Sequence, residues 1–320
     1  MNEEIKKKDI YAPVVVFAYN RADKIVKCLE SLEKNQEASQ TELIIYSDAA
    51  RNEKDQEAVR NTRKVLKDYK KKARFLSVSV IEAGYNKGLS ASIIEGVTGV
   101  LSRYKKAIII EDDLIVSENF LSFMNGALNF YRDNIKIGAI SGYTYPLKEL
   151  ERYKNDVYVL RKGDCWGWAT WADRWNGALW AEIDFRTYFA DKGLRKKFEN
   201  TENGWDLLML LQSKGKISSW AIRWVLNLLK EDLWTIYPKS SYVTNTGFDG
   251  SGTHSSKSER NHFFTGLKKQ GMPNFKNMRP DIELEKAAAI YPRKGFMRSV
   301  KYFFGRCYVR IYDLKRFMQG

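Results

Sequence analysis

Short apolar runs alternate with longer amphipathic stretches along the first half of the chain. The apolar runs are rich in β-branched residues and lie at 14–18, 43–46, 75–81, 107–110 and 137–141. Between them, apolar side chains recur at helical spacing over 25–32 and 89–104. Strands that alternate with amphipathic helices are typical of a parallel sheet covered by helices on both faces. The pattern therefore predicts an α/β fold with a mostly parallel, Rossmann-like sheet.

The composition of the chain changes near residue 156, where Trp- and Gly-rich segments begin. GDCWGWATWADRW spans 163–175, and NGWDLLMLL spans 203–211. We interpret 1–155 as the first half of a domain and 156–275 as a second half of the same domain that closes a pocket. Residues 276–320 form a separate tail that becomes basic and aromatic.

Polar and acidic residues directly follow four of the predicted strands. In an open α/β sheet, ligands bind beyond the carboxyl ends of the strands. The residues at these ends are Tyr19, Asn20, Arg21, Ser47, Asp48, Glu82, Ala83, Gly84, Glu111, Asp112 and Asp113. We expect this edge of the sheet to carry the functional site.

Composition restricts the class of protein and of partner. A hydrophobic fraction of 44% and nine Trp indicate a folded globular chain. With 54 Lys and Arg against 39 Asp and Glu, the formal charge of +15 favours an anionic partner: nucleotide, nucleic acid, phospholipid or phosphorylated acceptor. The three scattered Cys fit a reducing cytoplasm and argue against a disulfide framework or structural zinc. No stretch reaches the roughly 18 uncharged residues that a membrane-spanning helix needs.

The strongest local motif is IIIEDDL at 108–114, where an apolar run delivers three adjacent carboxylates. Adjacent carboxylates repel one another unless they are exposed or share a cation, and oxygen ligands suit Mg²⁺ or Mn²⁺. Such a cation would bridge the phosphates of a nucleotide. The alternative is an acidic cap for the helix predicted to start near residue 117.

Three other residues are candidate ligands of a nucleotide. Arg21 and the free backbone N–H groups of its strand-to-helix turn suit an anion. Asp48 suits a base N–H or a ribose hydroxyl, and Lys87 suits a phosphate. Each has a structural alternative, namely an ordinary turn, a solvated loop Asp and a surface Lys at a helix start.

The order of the motifs FAYNR, YSDAARNE, NKGLSASIIEG, IIIEDDLIVSENFL, CWGW and GWD resembles that of the GT-A glycosyltransferases. The chain is most similar to the inverting GlcNAc-transferases that start complex N-glycan branches, and to bacterial family 2-like enzymes of surface-polysaccharide synthesis. The resemblance runs from about Ala12 to His254, roughly three quarters of the chain, and the EDDL block is its most specific part. It implies that 1–155 binds a nucleotide-sugar and that 156–275 carries the acceptor site and the catalytic base.

The resemblance also implies roles for individual residues. Those implied to bind the nucleotide-sugar are Ala18, Tyr19, Asn20, Arg21, Asp48, Lys87, Glu111 and Asp112. Asp112 would meet the ribose, Glu111 the donor sugar, and Asp113 the metal. Asp206 would be the general base toward the acceptor hydroxyl, in a single displacement that inverts the anomeric configuration. The N-glycan enzymes have two acids after the Trp where this chain has Asp206-Leu207, so a helix N-cap is the alternative for Asp206.

Two further predictions concern the metal and the sugars. His254, in a Gly/Ser loop, is predicted as a second metal ligand, with an exposed loop His as the alternative. Gly167, Trp168 and Trp205 are predicted near the acceptor or donor sugar. The other tryptophans of the CWGWATWADRW segment are interpreted as hydrophobic core.

The tail at 293–320 combines helical spacing of apolar residues with eight Lys and Arg against one Asp. A basic amphipathic stretch of this kind is typical of the interface of an anionic membrane. The alternative is a helix docked on the catalytic domain. We expect a cytoplasmic protein, peripheral on the inner face of the cell membrane.

The sequence therefore predicts a metal-dependent inverting glycosyltransferase that uses Mn²⁺ or Mg²⁺. The donor is a nucleotide diphosphate-sugar, with UDP favoured, and the acceptor is a saccharide or lipid-linked molecule in bacterial surface-polysaccharide synthesis. Two other classes stay open: a nucleic-acid-binding protein, which the charge permits, and a non-catalytic carbohydrate-binding protein, which the Trp clusters favour. The chain has no recognised nucleic-acid-binding motif, so we expect no nucleic-acid partner.

Overall fold

A computed structural model describes residues 11–175, 188, 191–201, 205–249, 266–267 and 271–291. His254 and the basic tail at 293–320 lie outside the described residues, as does the side chain of Asp206. The predictions that fall on them are therefore not tested by the structure.

A single eight-stranded sheet organises the described part of the chain. The ten strands are β1 (Val14–Ala18), β2 (Glu42–Ser47), β3 (Ser77–Glu82), β4 (Lys106–Glu111), β5 (Leu114–Val116), β6 (Ile137–Ser141), β7 (Val157–Leu160), β8 (Trp168–Trp171), β9 (Trp234–Pro238) and β10 (Val243–Asn245). The large sheet has the order β3-β2-β1-β4-β8-β6-β9-β7, and β10 pairs separately with β5. Strands β3, β2, β1 and β4 are parallel, whereas β8 runs antiparallel to both of its neighbours.

The five predicted strands are all present, and β1 and β6 have the predicted bounds. The largest difference is at β3, which begins at Ser77 rather than at residue 75. Phe75 is buried, and the backbone N–H of Leu76 donates to Thr41 O at 3.1 Å. These two residues therefore belong to the connection that leads into the strand, although they are as apolar as the strand itself.

Eight α-helices are described, and two of them are the helices that the apolar spacing predicts. They are α1 (Ala22–Glu33), α2 (Glu53–Lys72), α3 (Gly88–Tyr104), α4 (Phe120–Phe130), α5 (Lys192–Thr201), α6 (Trp205–Ser213), α7 (Trp220–Lys230) and α8 (Ile282–Ile290). Helices α1 and α3 contain the predicted stretches, and α4 is the helix expected near residue 117. Helix α2 is capped by Asn52, whose side chain accepts from Lys54 N, and ends with three Lys that favour a helix carboxyl end.

Helices cover both faces of the sheet, as the apolar pattern predicts. Val14 and Val16 of β1 pack into a core with α1 and α4, whereas Val15 and Phe17 pack into a second core with α3 and α7. A Cβ atom on Gly96 of α3 would lie 2.9 Å from the Phe17 ring. Helix α3 therefore approaches the sheet more closely than a residue larger than Gly permits.

The two proposed halves of the domain share this sheet. Strand β8 of the second half lies between β4 and β6 of the first, and β9 and β7 extend the sheet beyond β6. The α/β class and the parallel first four strands confirm the predicted fold class. The division at residue 155 stays a prediction about function.

The prediction that Trp168 lies against a sugar is wrong. The Trp168 side chain is 1% exposed, and its ring stacks on Trp175 and Trp220 at centroid distances of 5.6 and 5.2 Å. It forms part of the core between the sheet, α3 and α7. Trp171 and Trp175 are also buried, which confirms their interpretation as core.

Among the described residues, we find no helix that is both long and apolar enough to cross a lipid bilayer.

Candidate functional site

The carboxyl ends of three neighbouring strands bring the predicted site residues together. Strand β1 pairs in parallel with β2 on one side and β4 on the other. The residues that follow these strands, Tyr19 to Arg21, Asp48 and Glu111 to Asp113, therefore meet at one edge of the sheet. This is the edge at which open α/β sheets bind ligands.

Arg21 lies against two of the three adjacent acids. Asp112 and Asp113 are 3% and 8% exposed. The Arg21 Nε donates to Asp112 Oδ2 at 3.3 Å, Nη1 donates to Asp113 Oδ2 at 3.0 Å, and Nη2 forms a further ion pair with Asp112 Oδ1. The guanidinium therefore compensates two carboxylates that burial would otherwise penalise.

The site is nevertheless short of positive charge. Burial raises the pKa of Glu111 to about 8, and the charges of Asp113 and Asp112 act in the same direction. Burial also raises the pKa of Asp112 to about 6, although Arg21 opposes the shift. One guanidinium does not balance three carboxylates, so an additional cation at this edge would be bound favourably.

The donor set suits a hard divalent cation that shares its coordination with a ligand. Carboxylate oxygens are the ligands that Mg²⁺ and Mn²⁺ prefer, and Mg²⁺ is commonly held by one or two carboxylates plus phosphate oxygens and water. Over the ranges that the structure describes, no three His, Cys, Asp or Glu side chains form a complete metal site. Asp112 and Asp113 are the described acids at this edge that could contribute carboxylate ligands to such a cation.

The turn after β10 fixes the position of Asp113. The N and Oγ1 of Thr246 both donate to Asp113 O at 2.8 Å, and Lys24 Nζ donates to Thr246 O at 2.9 Å. Gly247 packs so closely that a Cβ atom there would clash with Asp113 Oδ2. Apart from the Gly-rich character of 247–252, nothing in the sequence pattern indicated this contact.

We expect Gly247→Ala to weaken Mn²⁺ binding about tenfold, because the added methyl group would displace the Asp113 carboxylate. The measurement is a Mn²⁺ titration followed by electron paramagnetic resonance, with a nucleoside diphosphate present. Gly271→Ala is the matched control, since nothing lies within 4 Å of a Cβ at Gly271. Equal Mn²⁺ affinity in the two variants would contradict the prediction.

Asp48 organises the loop that leads into α3. Its Oδ1 accepts from the backbone N–H groups of Ala49 and Lys87, both at 2.9 Å. Its Oδ2 accepts from Gly88 N at 2.9 Å and Asn86 Nδ2 at 3.1 Å. A carboxylate accepts about four hydrogen bonds, so these donors use its capacity. Asp48 thus shapes the rim of the site, and its predicted contact with the nucleotide stays a prediction.

The remaining predicted ligands form contacts at the same rim. The Tyr19 hydroxyl donates to Asp55 Oδ2 at 2.9 Å and accepts from Arg51 N at 2.8 Å. Asn20 Nδ2 lies 3.5 Å from Asp55 Oδ1. Lys87 forms an ion pair with Glu95 of α3. Ala18 ends β1, and its carbonyl accepts from Asp48 N at 3.0 Å.

Arg63, which the sequence did not single out, ties the ends of β2 and β3 together. Its Nη2 donates to Ala83 O at 2.7 Å and to Asp48 O and Ser47 O at 3.3 and 3.4 Å. Its Nη1 lies 3.5 Å from Glu82 Oε2. A single guanidinium from α2 therefore holds the two loops that form the rim beside Asp48.

We expect Arg63→Met to raise the dissociation constant of the nucleotide about tenfold, because the carbonyls of Ser47, Asp48 and Ala83 each lose the hydrogen bond from the guanidinium and the two loops are held less firmly. The nucleotide affinity should be measured by calorimetry with Mn²⁺ present. Arg60→Met, an exposed change on the same helix, is the control for lost charge. If both variants bound the nucleotide equally well, Arg63 would have no positioning role.

An aromatic cavity is lined mainly by residues of the second half of the domain. It has a volume of about 190 Å³ and is lined by Tyr143, Tyr145, Gly163, Asp164, Cys165, Trp166, Trp205, Ala221, Trp224 and Val225. Two of the predicted sugar-contacting residues are thus separated: Trp205 lines the cavity, whereas Trp168 is buried in the core. Trp166, interpreted as core from the sequence, takes a place in the cavity wall.

Gly167 explains why the two neighbouring tryptophans diverge. Residues i and i+2 of a regular strand lie on the same face of the sheet. Gly167 has a φ of +62°, a left-handed conformation that interrupts this alternation. Trp166 therefore packs against the core on one face of the sheet and Trp168 within the core on the other.

Comparisons with known proteins identify the family of the sequence. The profile of the family described as glycosyl transferase family 2 matches residues 14–195, more than half of the chain. A comparison with curated proteins gave no match.

Three solved structures are among those similar to this chain. TarS 1–349 of S. aureus is 11% identical over 78% of this chain, with a TM-score of 0.42, and the chain spans 62% of its length. The mannosyltransferase PcManGT of Pyrobaculum calidifontis, in complex with GDP-Man and Mn²⁺, is 13% identical over 70% of each chain, with a TM-score of 0.39. GalNAc-T7 with UDP, GalNAc and Mn²⁺ is 10% identical over 74% of this chain and 44% of its own, with a TM-score of 0.47. The chain spans only 21% of a longer TarS structure.

Proposed function

The chain belongs to glycosyl transferase family 2, and we propose that it is a metal-dependent inverting glycosyltransferase that uses a nucleotide diphosphate-sugar. The observation that carries this proposal is the cluster of Glu111, Asp112 and Asp113 at the carboxyl end of β4. Two of these acids are buried beside Arg21, and the cluster lacks positive charge. A diphosphate bound together with a divalent cation would supply that charge and fill the edge of the sheet.

Asp113 is the residue that would hold Mn²⁺ or Mg²⁺, with His254 as its proposed second ligand. When bound, the cation neutralises negative charge on the departing diphosphate. Asp112 would meet the ribose and Glu111 the donor sugar. Arg21, which already touches both aspartates, lies where its guanidinium can also bind a phosphate oxygen.

Asp206 is the proposed general base. It follows Trp205, the first residue of α6, and Trp205 lines the aromatic cavity. A carboxylate there would take the proton of the acceptor hydroxyl as its oxygen forms a bond to the anomeric carbon. The bond between that carbon and the diphosphate oxygen breaks in the same step, which inverts the configuration.

The proposed partners follow from the sequence. The donor is a nucleotide diphosphate-sugar, with UDP favoured, and the acceptor is a saccharide or lipid-linked molecule of bacterial surface-polysaccharide synthesis. The basic stretch at 293–320 would bind an anionic membrane surface at the inner face of the cell membrane. Nucleic acid is not a proposed partner.

Thermal unfolding with a panel of nucleotide-sugars tests the proposal. A ligand that binds only the folded state raises its apparent stability by about 2.7 kcal/mol at a hundred times its dissociation constant. We expect a large increase in Tm only when a nucleotide-sugar and Mn²⁺ are present together, and its loss after EDTA. Stabilisation by nucleic acid, or by free sugars alone, would instead favour one of the two non-enzymatic classes.

A further inference from the structure

We propose that the aromatic cavity binds an uncharged pyranose unit of the acceptor and disfavours phosphorylated or carboxylated units. This inference rests on the proposed function and names the acceptor class for that same site. It depends on three properties of the cavity: its position beside the acidic cluster, its aromatic walls and the charges around it.

The cavity adjoins the edge at which the donor is proposed to bind. Strands β4 and β8 pair in antiparallel register up to Ile109 and Trp168. Two residues beyond this pair are Glu111 on β4 and Trp166 on the segment before β8. The Trp166 ring also lies 5.6 Å from the ring of Phe248, which follows the Gly247 that packs against Asp113. An acceptor in the cavity would therefore lie next to the proposed reacting centre.

The walls suit the apolar face of a sugar ring. Trp166 and Tyr143 meet edge to face at 4.6 Å, so their rings form a corner rather than a flat surface. Five of the ten lining residues are Trp or Tyr, and Ala221 and Val225 add aliphatic surface. Such cavities desolvate the C–H face of a pyranose and leave a few polar groups to orient it. The volume of about 190 Å³ suits a single ring.

The charges around the cavity disfavour an anion. Among the lining residues that the structure describes, Asp164 is the one acid and none is basic. Tyr145 Oη donates to Asp164 Oδ2 at 3.1 Å, and Trp166 N donates to Oδ1 at 3.0 Å. The nearby Lys162 is 3% exposed, and its ammonium lies 4.2 Å above the Tyr145 ring. Asp164 therefore accepts hydrogen bonds from sugar hydroxyls but repels a phosphate or carboxylate.

The charge of the cavity wall differs from the charge of the whole chain. The formal charge of +15 favours anionic partners, among them a phosphorylated acceptor. In the wall of the cavity, by contrast, the charged side chain among the described residues is the acid Asp164. We therefore expect the basic residues of the chain to bind the anionic donor and other anionic partners outside the cavity. The cavity itself should bind a neutral sugar.

Saturation-transfer NMR on the full-length protein tests the inference. The probes are methyl hexopyranosides, hexose 6-phosphates and hexuronic acids, each measured with and without a nucleoside diphosphate and the diamagnetic Mg²⁺. We expect binding of at least one neutral hexopyranoside and at least tenfold weaker binding of its charged counterparts. Trp166→Leu should weaken the neutral ligand about tenfold. Asp164→Asn should reduce the discrimination against anions, whereas the exposed Asp133→Asn should not.

Cys165 supplies a second readout, since it lines the cavity whereas Cys28 is buried. In a Cys307→Ser background, the neutral sugar should slow alkylation of Cys165 by iodoacetamide. Equal binding of charged and neutral sugars, or no protection of Cys165 at saturating sugar, would overturn the inference. Binding of the nucleotide with Mn²⁺, measured separately on the same protein, distinguishes a failure of the cavity assignment from a failure of the proposed donor site. If the nucleotide binds and sugars do not, only the cavity assignment fails; if sugars bind and the nucleotide does not, the proposed donor site fails.

Discussion

Asp113→Asn should lower the rate of sugar transfer by roughly three orders of magnitude, because it removes a charged metal ligand and several kcal/mol of stabilisation of the departing diphosphate. The variant should still fold. Thr246 is bonded to the backbone carbonyl of residue 113, and this contact does not depend on the side chain. The loss should therefore come from the site and not from unfolding.

The rate should be measured as release of nucleoside diphosphate over a range of Mn²⁺ concentrations. Asp133→Asn is the matched control, since the Asp133 side chain is 86% exposed and pairs with the adjacent, exposed Arg132. Tm should be recorded for both variants. Transfer at the wild-type rate by Asp113→Asn would refute the role of Asp113 and, with it, the metal-dependent mechanism.

Asp206→Asn should lower the transfer rate by roughly 10²- to 10⁴-fold, the usual contribution of a general base. Asp206 is the second residue of α6 and not the residue before the helix, so the structure does not support its interpretation as an N-cap. Asn has nearly the same size and shape as Asp and fits the same helical position, so α6 should stay folded. Loss of transfer by a folded variant would therefore indicate the loss of the base.

Nucleotide and Mn²⁺ affinities of Asp206→Asn should match those of the wild type, because the proposed base acts on the acceptor and not on the donor. Asp206→Ala adds a comparison in which the polar side chain is removed altogether. If both variants transferred the sugar at the wild-type rate, Asp206 would not be the base, and the base would have to lie elsewhere.

The apolar pattern of the sequence was sufficient to predict the five strands discussed above but not every strand boundary. The runs that form β1 and β6 are continuous and fully buried, so their bounds are those of the apolar residues. At β3 the apolar residues extend two positions beyond the strand, because Phe75 fills the core from a connecting segment. Hydrophobicity reports burial, and a connection can be buried as well as a strand.

For the candidate site as well, the sequence predicts some features and not others. Alternation of strands and helices predicts that Arg21, Asp48 and Glu111 lie at one edge of a parallel sheet, although it does not predict that β1 lies between β2 and β4. The hydrogen-bond partners of these residues do not follow from that alternation. Asp48 uses its oxygens on Asn86 to Gly88, and the ammonium of Lys87 pairs with Glu95. Whether a polar side chain faces a ligand or its own loop depends on the path of that loop, which residue type alone does not encode.

The sequence by itself determined the α/β class, the strands that carry the site and the acids at their carboxyl ends. These features depend on local periodicity and on the general geometry of parallel sheets. Only the tertiary structure decided which groups meet across long stretches of chain. Arg21 reaches Asp112, Gly247 closes on Asp113, and Trp166 rather than Trp168 enters the cavity wall. Such contacts depend on which faces are brought together and on a left-handed Gly167 between two similar side chains. The types and the spacing of residues along the chain do not show which faces pack together.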